Sequence, residues 1–193
     1  MLNHSLLLVT PATSDPVTVA EAKTFLRIDH DSEDDALDRQ ISVAASWCQE
    51  RIDRQFMLAT YRMYLDRFPT CAIILRRPPL KTLSSITYVD GDGVTQPLAA
   101  NQYKVSNGRS PVVIWPAYEC YWPTARTEQE SVQVNFIAGY DTAADVPAGI
   151  REAICLHLGI LRGDYPQLGL MEDECRNRRD ELLMQHWHGY TFQ

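Results

Sequence analysis

Cys155 and His157 are the residues of this 193-residue chain that most invite a catalytic reading, because a thiol becomes a nucleophile when a base stands beside it. Their spacing argues against it. Two positions apart on a helix, they point to different faces. His157 is read instead as a core or interface histidine. The sequence has no nucleophile elbow, P-loop, dinucleotide fingerprint or His-Glu-x-x-His. Its paired carboxylates stand in charged runs where shifted pKa values are not expected. No residue is nominated as catalytic, and the expectation is a protein that is not an enzyme.

Metal chemistry fares no better. Asp29–Asp35 (DHDSEDD) has the oxygen density of a calcium loop. It lacks glycine at the sixth loop position and has Gln40 where a bidentate glutamate belongs. An acidic helix start explains the same residues. Asp90-Gly91-Asp92-Gly93 has the types that hold a cation or phosphate, but reads more simply as a hairpin turn. His186 and His188 flank Trp187, and no neighbouring Cys, Asp or third His completes a ligand set. The five cysteines (Cys48, Cys71, Cys120, Cys155, Cys175) are scattered, odd in number and free of C-x-x-C spacing. They read as reduced, mostly buried thiols in a cytoplasmic setting. No metal and no cofactor are implied.

Two surface groups remain. His186, Trp187, Tyr190 and Phe192 crowd a polar C-terminal segment where aromatic rings are costly to leave in water. The preferred reading is an anchor that buries in a partner, with intramolecular packing or disorder as alternatives. Arg76, Arg77 and Lys81 form the compact basic cluster. A solvated strand edge accounts for it. So does contact with an acidic region of another copy, around Asp34 and Asp35, or contact with DNA.

Length and composition suit one compact domain, or a domain carrying a sizeable insertion. Leu6–Val9 has neither the basic flank nor the cleavage site of a signal peptide, and no run approaches a membrane span. The net charge of −7 is unevenly spread. Asp15–Arg54 holds ten acidic and five basic residues, Phe56–Tyr140 six and eight, and Asp141–Gln193 nine and five. An acidic chain is a poor nucleic-acid binder, since phosphate neutralisation supplies much of that affinity. Alternating charge suits head-to-tail contact between copies.

Periodicity supplies the elements that must position these residues. Residues 1–14 read as extended and irregular. Thr18 and Glu21 have capping-box spacing before Val19, Ala22, Phe25 and Leu26. Ser32 is expected to cap a longer helix with Asp34 and Asp35 in its first turn and a stripe of Leu37, Ile41, Ala44, Ala45, Cys48 and Ile52. Period-two segments follow at Thr60–Phe68, Cys71–Leu75, Leu83–Val89, Val94–Leu98, Gln102–Val105, Val112–Trp115 and Ser131–Ile137. Within them Leu75–Leu98 reads as a meander broken by a Pro78-Pro79 corner. Pro147 is expected in the first turn of a buried helix running through Ile150, Ile154, Leu158 and Leu161. A charged helix, Glu172–Gln185, comes last. The short helices cannot fold alone. The expectation is therefore an α+β chain: a helical bundle of residues 1–58 and 141–193 with an antiparallel β domain, 59–140, inserted.

Three segments carry a family resemblance. PVTVAEAKTFLRID with its acidic cap and the SVAASWCQERIDRQ helix, the LRRPPLKTLSSITYVDGDGVTQPL stretch, and VNFIAGYDTAADVPAGIREAICLHL stand in order over residues 15–162. Together they resemble the head–tail connector (adaptor) proteins of long-tailed bacteriophages and gene transfer agents. The resemblance implies a structural virion protein in a homo-oligomeric ring of about a dozen copies. That ring would join the portal protein to a stopper or other tail-proximal neck protein. It would aid head completion and head–tail joining, with DNA only passing through its channel and no membrane. It implies assembly in the host cytoplasm, residence at the neck, and a C-terminal segment (His186, Trp187, Tyr190, Phe192) that reaches the portal. Another neck or tail-completion protein, or a small enzyme with a cleft between bundle and β domain, are the alternatives.

Overall fold

The computed structural model describes residues 4–106 and 111–187. The chain is α+β and divides into two compact units. One comprises Leu58–Gly139 with the segment ending at Ala12. The other comprises Thr13–Met57 with the chain from Tyr140 onward.

In the helical unit, α1 (Val19–Leu26) opens with the expected capping box. Glu21 N–H donates to Thr18 Oγ1 at 3.2 Å, and Thr18 N–H donates to Glu21 Oε2 at 3.0 Å. These bonds satisfy two backbone donors that the helix itself cannot. α2 (Asp34–Ile52) buries the expected stripe of Leu37, Ile41, Ala44, Ala45, Cys48 and Ile52. Each large member contributes roughly 1.5–3 kcal/mol by leaving water. Ser32 does not cap this helix. Glu33 occupies the N-cap without a side-chain capping bond, and Ser32 Oγ lies 3.0 Å from His30 Nδ1. The cause is a preceding turn, closed by Asp34 N–H on the Asp31 carbonyl, which carries Ser32 outside the helix start.

α3 (Ala148–Arg162) is preceded by Pro147 as its cap residue, one position earlier than expected. The Pro147 carbonyl accepts from the N–H groups of Ile150 and Arg151. Gly163 closes α3 at φ 75°, a left-handed conformation that glycine adopts without steric cost. Ile150, Ala153, Ile154, Leu156 and Leu158 are buried, whereas Leu161 lies on the exposed side. α4 (Glu172–Met184) packs against α3 and buries Cys175, Arg179 and Leu183.

Among the described residues the β unit holds eight strands in two antiparallel sheets: β1 (His4–Thr10), β2 (Ala59–Leu65), β3 (Ile73–Leu75), β4 (Leu80–Val89), β5 (Thr95–Pro97), β6 (Tyr103–Ser106), β7 (Val112–Pro116) and β8 (Val132–Ala138). The five-stranded sheet has the order β1-β2-β8-β4-β5, and the three-stranded sheet β3-β7-β6. β2 and β8 alternate strictly between buried and half-buried residues, as a half-solvated sheet requires. Met63, Ile86, Val134 and Phe136 from the larger sheet share one core with Ile73, Leu75 and Ile114 from the smaller.

Residues 1–14 are not wholly irregular, because β1 pairs antiparallel with β2, Leu7 opposite Arg62. The run Leu6–Val9 lacks the alternation that marks a strand, and an edge strand needs only one partner. The Leu75–Leu98 stretch is not one meander. β3 ends in the smaller sheet, the chain turns through Arg76, Arg77, Pro78 and Pro79, and β4 begins in the larger sheet. Proline cannot donate to a ladder, so the corner marks a change of sheet.

Candidate interaction surfaces

The side chains that invited chemistry are engaged in structure. His157 is buried and stacks on Trp47 of α2, ring centroids 4.1 Å apart. Arg179 of α4 lies over the same indole at 4.2 Å and places Nη1 3.0 Å from His157 Nδ1. A guanidinium only donates, so Nδ1 accepts and the neutral ring carries its proton on Nε2. Burial, reinforced by the charges of Arg179 and Arg176, lowers the His157 pKa to about 4, against the opposing pull of Asp180. Asp180 Oδ1 holds Arg179 from its other side at 2.7 Å. Burial pushes the Cys48 and Cys155 thiols up to about 12. Neither is a thiolate at neutral pH, and the trio of Trp47, His157 and Arg179 seats α4 on the bundle.

The acidic start of α2 is paired within its own unit. Lys23 bonds Asp31, and Asp34 at 2.9 Å. Hydrogen bonding to Lys23 lowers the Asp31 pKa. Arg162, at the end of α3, bonds Glu33 at 2.8 Å, Asp164 at 2.6 Å and Gln40 at 3.0 Å. Among the described residues no three His, Cys, Asp or Glu side chains gather as a metal site would require. Asp90 is a turn residue. Its carboxylate accepts from Gln96 Nε2 at 2.8 Å and from the N–H groups of Val94 and Asp92, which together lower its pKa.

The interface candidates are dispersed. Arg76 and Arg77 are half-buried at the corner between β3 and β4, and Lys81 is exposed on β4. Asp34 is half-buried on Lys23, and Asp35 is exposed. The His186 carbonyl accepts from Arg54 Nη1 at 3.1 Å, and Trp187 is half-exposed. Tyr190 and Phe192, with His188, lie outside the described residues.

The structure adds an apolar surface that the sequence reading passed over. The three-stranded sheet turns Ile73, Leu75, Val112 and Ile114 inward. Its other face carries Ile74 opposite Val113, and Trp115 opposite Lys104. Ile74 is 37% exposed and Trp115 45%. Beyond β7 the loop presents Tyr118 at 84% and Tyr121 at 89% exposure. That loop is held firmly. Ala117 N–H bonds the Gln102 carbonyl, Trp122 stacks on Phe68 at 5.1 Å, and Trp122 Nε1 donates to the Cys71 carbonyl at 2.9 Å. Period-two reading of Val112–Trp115 was the available signal, since it puts Trp115 opposite the core side. Exposed, pre-ordered aromatics are the usual anchors of protein interfaces.

Residues 16–74 match the family model of phage gp6-like head-tail connector proteins, so the head–tail connector resemblance stands. The matched span takes in α1, α2, β2 and most of β3. Among solved structures, a chain in the virion of a native gene transfer agent particle is similar with TM-score 0.75 and 21% identity, covering 97% of each chain. A chain in the neck of an empty gene transfer agent particle, computed with C6 symmetry, has TM-score 0.68 and 22% identity over 80% of this chain and 81% of that one. A chain in the neck of a native particle, computed with C12 symmetry, has TM-score 0.61 and 23% identity over 82% and 81%. These likenesses establish a shared fold. No curated protein sequence matches the chain.

Proposed function

We propose that this chain is a structural subunit of the neck of a phage or gene transfer agent, assembled as a ring between the portal protein and the next tail-proximal protein. The observation that carries the reading is the coincidence of the connector match over residues 16–74 with a fold likeness spanning 97% of a chain in a gene transfer agent virion. The C6 and C12 symmetry of the matched neck structures supports a cyclic arrangement. The surface chemistry agrees, because exposed aromatics on an anchored loop suit a subunit that is completed by neighbours. A net charge of −7 suits a channel wall past which DNA slides without adhering. In this reading Trp187, with His186, Tyr190 and Phe192, belongs to the segment that meets the portal. The test is a cryo-electron microscopy map of the neck in particles from the encoding strain. A ring of this fold between portal and tail is the expected result. A neck built from other chains, with this protein absent from purified particles, overturns the proposal.

A further inference from the structure

We infer that copies contact one another head to tail, the outer face of the three-stranded sheet of one copy seated on the outward face of α2 in the next. This inference rests on the ring reading. A cyclic ring needs two different, mutually complementary surfaces on every copy, because its contacts are heterologous. The two units supply them. One surface is apolar with a cationic edge: Ile74, Val113 and Trp115, flanked by Lys104, with Tyr118 and Tyr121 on the adjoining loop. Lys104 is exposed and makes no ion pair among the described residues.

The other surface lies on α2. Val43, 58% exposed, stands at helical spacing from Asp35, Arg39, Ser46 and Glu50, all exposed. Charge points the same way. The helical unit holds nineteen acidic and ten basic residues, a net of −9, while the β unit holds six acidic and eight basic, a net of +2. Like units of two copies repel or gain little, whereas a β unit against a helical unit is attractive. The occupant that this favours is a second copy of the same chain.

Cross-linking in purified particles tests the contact. In a Cys71→Ser, Cys120→Ser background, Lys104→Cys and Ser46→Cys are combined and treated with a short bis-maleimide. Denaturing gels are expected to show a ladder of dimer, trimer and higher multimers, with each single cysteine variant remaining monomeric. Protein present in particles but unlinked in the double variant overturns the contact and leaves the neck reading intact. A cross-linked dimer from either single variant also overturns it, since that requires like faces to meet. Protein absent from particles removes the neck reading and this inference with it. As a second measurement, Trp115→Glu and Val43→Glu proteins should each fail to form rings alone. Their mixture should yield dimers with one intact contact, and failure to form any mixed species counts against the geometry.

Discussion

Replacing His157 with glutamine removes a titrating group from the buried junction of α2, α3 and α4 while leaving an acceptor for Arg179. The folded protein takes up the His157 proton near pH 4 and the unfolded chain near 6.5. The stability supplied by the neutral ring is therefore complete above pH 6.5 and is lost as the pH falls towards 4. At about 1.4 kcal/mol per pH unit, that gap amounts to about 3 kcal/mol. Burial against Trp47 of α2 is the main cause of the sign, and Arg179, Arg176 and Asp180 on α4 add a net positive charge that opposes a second cation. At pH 7 the His157→Gln protein should be less stable by about 1–2 kcal/mol, having lost the stack on Trp47. By pH 4 the deficit should vanish or reverse. Urea unfolding followed by far-ultraviolet circular dichroism over this range gives the two curves. Carboxylates such as Asp31, Glu33 and Asp90, whose pKa values are lowered in the fold, also lose stability on acidification. Their contribution is common to both proteins and cancels in the difference. A deficit constant from pH 7 to pH 4, or a His157 ring that titrates near 6.5 by NMR, refutes the reasoning.

Three further perturbations report on the scaffold. Arg162→Ala removes the bonds to Glu33, Asp164 and Gln40 and should lower helical-unit stability by about 1–2 kcal/mol, with Arg162→Lys only partly restoring it in thermal unfolding. Gly93→Ala should cost about 1 kcal/mol, because φ is 84° and the new Cβ would meet Arg126 Nη1 at 2.7 Å; unchanged β-unit stability would contradict this. Trp122→Ala removes the Phe68 stack and the bond to the Cys71 carbonyl, about 2–3 kcal/mol, and should speed chymotryptic cleavage after Tyr118 and Tyr121 several-fold.

Much of this fold is legible because its signals are local. The Thr18–Glu21 box, the α2 stripe and the Asp90–Gly93 turn each depend on residues a few positions apart, and each forms as expected. What escaped depends on distant partners. β1 is a strand only because β2 offers it an edge, and the Pro78-Pro79 corner changes sheets only because β8 lies where β4 can pair. Arg179 looks like one more charge on a solvated helix. Its burial follows from the Trp47 and His157 rings supplied by α2 and α3. The interface candidates were chosen by charge and aromatic density. Those criteria selected Trp187 and Arg76 and passed by Trp115, Tyr118 and Tyr121, whose exposure is a property of packing.

Electron microscopy of particles made without this protein tests the central claim most directly. A neck subunit that joins portal to tail predicts heads that lose their DNA or remain tailless, restored when the gene is supplied in trans. Full, tailed and infectious particles in its absence would contradict the account.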